Sequence, residues 1–169
     1  MSENPLYAEA RLQEIADLDL LSGDIDPILQ RVAEESATHL GLPVSLVSVV
    51  LNDALHVAGS HGITGLWLDE TKGHPLEWSF CATSVRTRAP YVVENAADDT
   101  THAANPLVMN DGVRCYAGVP LISSRGFVLG NLCVVGMAPR SFTEAELRYL
   151  TDLASQAVAR IEQRRVVTP

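Results

Sequence analysis

Apolar residues recur near helical spacing at the start of the chain. Between Leu6 and Leu21 the positions Leu12, Ile15, Leu18 and Leu21 form such a series, which predicts an amphipathic helix. Gly23 interrupts it. Asp26-Pro27 restarts the pattern as an N-cap followed by proline at the first helical position. Ile28, Val32, Ala33 and Leu40 can share one face of this second helix, and Gly41 supplies its stop. The period then changes. "PVSLVSVVLND", from Pro43 to Asp53, is too β-branched for a helix and predicts a central strand. Asn52-Asp53 turns it into an antiparallel neighbour, "ALHVAGSHG".

From Ile63 to Trp78 the pattern fades, and Gly65, Gly73 and Pro75 mark loop. "SFCATSVRTRAP", Ser79 to Pro90, predicts a short helix capped by Ser79 and closed before Pro90. "YVVEN" is a short strand. Ala96 to Gly112 forms a long polar connection with room for a helical turn, and loops of this length usually carry function. "GVRCYAGVPLISSRGFVLGNLCVV" follows as two strands joined by a tight turn, Ser123-Ser124-Arg125-Gly126. Thr143 and Glu146 make a capping box for a last helix running towards Val166. Its stripe of Leu147, Leu150, Ala154, Ala157 and Ile161 either covers the domain's own sheet or forms a dimer seam with the first helix. The sum is one α+β domain with helices at both ends and a mainly antiparallel sheet between them.

Strand alternation sorts the first arm of the hairpin. Cys115, Ala117, Val119 and Leu121 share an apolar side suited to a helix layer; Arg114, Tyr116, Gly118 and Pro120 share a mixed side. An aromatic beside two small residues, Tyr116-Ala117-Gly118, is unusual for a plain core strand.

Length and charge narrow the function. A chain of 169 residues suits one well-packed domain. A net charge of −9 excludes a phosphate-backbone partner, since Arg160, Arg164 and Arg165 form the only local basic group. Three cysteines, Cys81, Cys115 and Cys133, lie far apart with no CxxC, which predicts reduced thiols in a cytoplasmic protein. No signal peptide and no bilayer-spanning run is expected.

Enzyme motifs are absent: no phosphate-cradling GxxxxGK[ST], no Rossmann glycines, no GxSxG elbow and no HExxH. His56 and His61 would point to opposite faces of a continuing strand, so no shared metal is expected. His39 sits at a helix C-terminus, where it complements the dipole. Cys81, near a helix N-terminus, has the setting of a lowered thiol pKa. A base such as His74 or His102 would also be needed, and packing is the simpler role.

Four pieces in register carry a family resemblance: "SFCATSVRTRAPYVVENAADD", "NPLV", "VRCYAGVPL" and "GFVLGNLCVVGMAPRSFTEAEL". Together they resemble the GAF family of bacterial signalling domains, as found in or beside histidine kinases and cyclic-di-nucleotide enzymes. The resemblance implies a GAF-like six-stranded antiparallel sheet, with N- and C-terminal helices on one face and a small-molecule pocket on the other. In a strand lining that pocket, Ala117 and Gly118 would leave volume and Tyr116 would bring a polar tip. It places an N-terminal helix and dimerisation element at residues 1–24 and a single domain at 25–166. It implies a cytoplasmic, homodimeric sensor or signalling module for an unidentified small molecule, with a kinase or other signalling effector as partner. The ligand-binding residues would be Phe80, Asn95, Asp99, His102, Arg114 and Tyr116, with Arg114 pairing an anionic ligand group or holding Asp98 or Asp99. No catalytic residue, metal or named cofactor is implied, and neither nucleic acid nor membrane is a partner.

This chain departs from the family's usual residues at Asn95, at Thr101-His102-Ala103-Ala104, at Cys115 and at Gly136. His102 and Cys115 replace bulky aromatics. They do not make a metal pair, because alternation turns Cys115 away from the pocket. His102 alone remains a ligand contact or pH-sensitive group. The alternatives are a dimerisation or partner-docking module with a filled pocket, and a thiol-dependent free methionine sulfoxide reductase. The cysteines do not align with that reductase branch, and none is followed by the histidine of a bilin attachment site.

Overall fold

The computed structural model describes residues 9–18, 20, 27–50, 54–62, 73–75, 81–100 and 102–163. The elements run α1 (Glu9–Asp17), α2 (Pro27–Leu40), β1 (Val44–Val50), β2 (Ala54–His61), β3 (Gly73–Pro75), α3 (Cys81–Thr87), β4 (Tyr91–Val93), a 3-10 helix (Ala96–Asp98), α4 (Pro106–Asp111), β5 (Cys115–Ile122), β6 (Val128–Gly136) and α5 (Glu144–Glu162). The N-cap residues Asp26 and Ser79, the candidate Phe80 and the C-terminal stretch past Gln163 lie outside the described residues.

Five antiparallel strands lie in the order β2-β1-β6-β5-β4, with the short β3 along the outer edge of β2. The hairpin reads as expected. Cys115 pairs with Gly136 and Ala117 with Val134, and the turn closes through Ser123 N to Phe127 O and Gly126 N to Ser123 O, both 2.8 Å. Gly126 takes φ 87°, a left-handed conformation that glycine adopts without Cβ strain. A bulge between Val47 and Ser48 sets Val47 opposite Gly59 and Ser48 opposite Val57, so Ala58 is the extra residue on β2.

Each face of the sheet carries its own core. On one side Ile15 of α1 and Leu18 just past it, Leu29, Val32 and Ala33 of α2, and Leu150, Ala154, Ala157 and Ile161 of α5 pack against Val47, Val49, Ala117, Val119, Leu121, Leu132 and Val134. The stripe on the last helix is thus used within the chain; Leu147 joins its margin. The Thr143–Glu146 capping box is formed, Glu146 N to Thr143 Oγ1 3.1 Å and Thr143 N to Glu146 Oε1 2.9 Å. That backbone hydrogen bond and the Arg140 guanidinium, 2.5 Å away, hold the Glu146 carboxyl below its usual range.

The opposite face buries Val44, Leu46, Val50 and Val57 with Tyr116, Cys133 and Val135, under Val85 of α3 and Val108 of α4. The alternation along β5 is therefore realised, with Ala117 and Val119 beneath the helices and Tyr116 on the reverse side. The long polar connection is more structured than its composition suggests, since it folds into the 3-10 helix and α4.

Two charged residues of α1 are nearly inaccessible: Arg11 and Glu14, each 2% exposed. Arg11 Nη1 donates to the carbonyls of Val50 (2.6 Å) and Val128 (3.1 Å), and Glu14 Oε2 accepts from Ser123 Oγ (3.1 Å). Their spacing from Ile15 and Leu18 puts them on the buried face of the helix, a signal the apolar series alone hides.

Candidate functional site

The face opposite the helix layer collects polar side chains against an aliphatic wall. Tyr116, 1% exposed, rises from β5, and its hydroxyl donates to Asn131 Oδ1 on β6 at 3.1 Å. Asn131, fully buried, donates through Nδ2 to Ser84 Oγ of α3. One chain of hydrogen bonds therefore crosses from the sheet to the covering helix.

Gly118 explains why β5 is not a run of valines. A Cβ there would run into the hydroxyl and ring of Tyr116 and lie 2.8 Å from Asn131 Oδ1. The tyrosine lies across the glycine. This corrects the expectation that Gly118 leaves volume open for a ligand: Tyr116 occupies that volume itself. Ala117 contributes none either, because it faces the helix layer.

A second pair sits beside the first. Tyr91 on β4 and His102 on the connection share a 2.6 Å hydrogen bond between Oη and Nε2, and the Tyr91 ring lies 6.1 Å from that of Tyr116. His102 is buried, at 5% exposed. Burial lowers its pKa, with Asp99 partly opposing, whereas burial and then Asp99 raise that of Tyr91. Both shifts favour the uncharged forms.

The other sequence candidates take structural duties. Asn95 caps the 3-10 helix: its side chain accepts from Ala97 N at 3.2 Å and donates to Asp98 Oδ2 at 2.9 Å. Arg114 Nη1 donates to the carbonyls of Val108 (3.2 Å) and Val113 (2.9 Å), tying α4 to the segment that leads into β5. These bonds to carbonyl oxygens stand where a salt bridge to Asp98 or Asp99 was expected, and the Asp98 carboxylate is met by Asn95 instead. Asp99 accepts from the backbone N–H groups of His102 and Ala103 through its own carbonyl, at 3.1 and 2.8 Å. His102 and Tyr116 thus come together around Tyr91, Asn95 and Arg114 bond to the backbone and side chains of the connection instead, and Phe80 lies outside the described residues.

Ser84, Tyr91 and Asn131 escaped sequence reasoning. Asn131 carried the one usable signal, a carboxamide inside the otherwise apolar strand "VLGNLCVV". A buried amide must find partners, and Tyr116 and Ser84 are those partners. Two of the cysteines behave as filler, and the side chain of Cys81 lies outside the described residues. Cys115 and Cys133 are fully buried, and burial pushes the Cys115 thiol up, so it keeps its proton and is a poor nucleophile. Among the described residues no group of three or more metal-ligating side chains gathers, and no helix is long and apolar enough to cross a membrane.

Chemically the cluster offers a carboxamide, a hydroxyl, two phenols and an imidazole, all neutral, set in a wall of valine and leucine. Such a surface binds by hydrogen bonds and shape rather than by charge.

A model of the GAF domain family matches residues 24–161. The chain is 27% identical over 166 residues to a cyclic di-GMP phosphodiesterase of Pseudomonas aeruginosa, covering 95% of this chain and 27% of that one. It therefore spans about a quarter of that relative's length. Among solved structures it is similar to the GAF domain of a phosphoenolpyruvate-protein phosphotransferase from Coxiella burnetii, with TM-score 0.68 and 16% identity over 96% of this chain and 97% of the other. The corresponding domain from Acinetobacter gives TM-score 0.63 and 20% identity over 96% of each chain. The second GAF domain of DevS from Mycobacterium smegmatis gives 0.61 and 23%, over 80% of this chain and 91% of the other. With the match extending across most of its length, and the expected antiparallel sheet and helix layer in place, the chain belongs to the GAF domain family.

Proposed function

We propose that this chain is a small-molecule-responsive signalling module, folded over residues 25–166 with six strands and a pocket on the face opposite the helices. Ligand recognition falls to Ser84, Tyr91, His102, Tyr116 and Asn131, and the terminal helices carry the output, pairing two copies of the chain. One observation carries the reading. Neutral hydrogen-bonding groups from α3, β4, β5, β6 and the β4–β5 connection, buried except for the half-buried Tyr91, converge on an aliphatic wall, which is the usual make-up of a small-molecule site. Similarity to a cyclic di-GMP phosphodiesterase supports a cyclic-di-nucleotide enzyme as the recipient of the signal.

A thermal-shift screen of fractionated bacterial metabolites tests the proposal. At least one fraction is expected to raise the Tm of the wild type and to lose its effect on Asn131→Leu. A screen in which every fraction acts alike on the two proteins would overturn it.

A second reading rests on a different observation. The Tyr116 ring fills the space above Gly118, and its hydroxyl is already satisfied by Asn131. In that reading the face is closed and the domain is a docking module. No fraction would then act on either protein.

A further inference from the structure

Among the described residues, side chains from both faces of the sheet meet at the β5–β6 turn. From the helix layer, α1 reaches it through Glu14 Oε2, which accepts from Ser123 Oγ at 3.1 Å in a buried bond. The same hydroxyl accepts from Phe127 N at 3.3 Å, so the α1 contact is tied to the shape of the turn. Arg11, one helical turn before Ile15, holds the carbonyl of Val128, the first residue after the turn to enter β6. From the other end of the chain, Glu162 Oε1 at the close of α5 accepts from Ser124 N at 2.6 Å.

The opposite face reaches the turn through α3. Arg88, just past its end, donates through Nη1 to the carbonyl of Gly126 at 2.7 Å. Arg88 holds φ 59°, the only non-glycine residue with positive φ among those described. That conformation is strained for a side-chain-bearing residue. It persists where surrounding contacts over-determine it, and here the contacts are Arg88 N to Ser84 O at 2.8 Å and the guanidinium bond to the turn. Ser84 is also the residue that meets Asn131 in the candidate site.

We infer that the β5–β6 turn is a coupler: it passes the position of the covering helix α3, and hence the state of the Ser84–Asn131–Tyr116 cluster, to α1 and the C-terminal end of α5. This deepens the signalling reading and rests on it, because it names how that site is linked to the terminal helices. The geometry suits the task. The turn is short, its own two backbone bonds make it a unit, and helices from both faces grip adjacent residues, Ser123, Ser124 and Gly126. A shift of α3 that pulls on Gly126 moves the acceptor of Arg88 and the donors to Glu14 and Glu162 together.

Hydrogen exchange on the ligand-free protein tests the coupling. The variants are Arg88→Ala, Glu162→Gln and the double variant, each first checked for a cooperative thermal transition. Arg88→Ala is expected to speed exchange of the α1 amides and of the last turn of α5 by about three- to tenfold, the loss of roughly one charged hydrogen bond from local opening. The double variant is expected to fall short of the product of the single effects, because both side chains act on one turn. Arg88→Lys is expected to keep most of the wild-type protection. Arg88→Gly, which relieves the backbone and removes the arm, is expected to behave like Arg88→Ala. Exchange changes confined to α3, with α1 within twofold of wild type, would overturn the coupler, as would effects that simply multiply. No ligand enters this experiment, so it separates a failed coupler from a failed metabolite screen.

Discussion

At Gly118 one added methyl group meets the tip of Tyr116 and the Asn131 carboxamide. Gly118→Ala therefore displaces the phenol and strains the Ser84–Asn131–Tyr116 chain. The expected loss is about 1–3 kcal/mol in urea unfolding, typical of overpacking in a well-filled core. Tyr116→Phe keeps the ring and leaves the Asn131 oxygen without its donor. About 1–2 kcal/mol is expected to go, and the double change Tyr116→Phe with Asn131→Leu is expected to recover part of it. His102 sets a pH dependence whose sign follows from its surroundings, Tyr91 on one side and Asp99 nearby. Burial lowers its pKa in the folded state from the ordinary 6.5, so below that pH the unfolded chain takes up a proton the folded one resists. Stability is then complete above pH 6.5 and falls as the medium is acidified. His102→Gln is expected to flatten the pH 7.5 to 5 slope of the urea midpoint. An unchanged slope would mean that His102 titrates freely when folded.

The elements differ in how plainly the sequence announced them. Thr143 and Glu146 stand three apart before an apolar stripe, and the last helix starts there. Thr143→Ala is expected to remove about 1 kcal/mol, measured by the shift in urea midpoint. The β5–β6 hairpin was legible too, because its two-residue alternation decides both the pairing and the faces of Ala117 and Tyr116. Local pattern failed where a side chain's partner lies far away in sequence. Arg11 bonds to residues 39 and 117 positions off, and Glu14 to one 109 positions off. Nothing near α1 reveals a buried charge; only the tertiary fold brings the carbonyls of Val50 and Val128 to it. Arg11→Ala is expected to cost about 2–3 kcal/mol by urea unfolding, the range for hydrogen bonds to a charged group. A loss under half a kcal/mol would show that α1 docks by its apolar stripe alone. The candidate site was legible in the same partial way. Tyr116 and His102 stood out as an aromatic among small residues and a lone imidazole in a polar loop. Asn95 and Arg114 were legible as polar groups in predicted strands, but their cap and carbonyl contacts were not, because those depend on where the backbone turns.

As a whole the molecule is a sheet with two unlike sides. The side under α1, α2 and α5 is packed with aliphatic residues, and on the other side Tyr116, Asn131 and Ser84 form one chain of hydrogen bonds and Tyr91 and His102 another. In the proposed reading, a guest on the second side exchanges its own hydrogen bonds for those among Tyr116, Asn131 and Ser84. Native mass spectrometry of the ligand-free chain after incubation with bacterial metabolite extract, with the denatured mass as reference, examines that side most directly. The expected spectrum shows a non-covalent excess mass on the folded wild type, released on unfolding and absent from folded Asn131→Leu. A folded wild-type mass equal to the polypeptide alone, or an adduct equally present on Asn131→Leu, would contradict the assignment of the site.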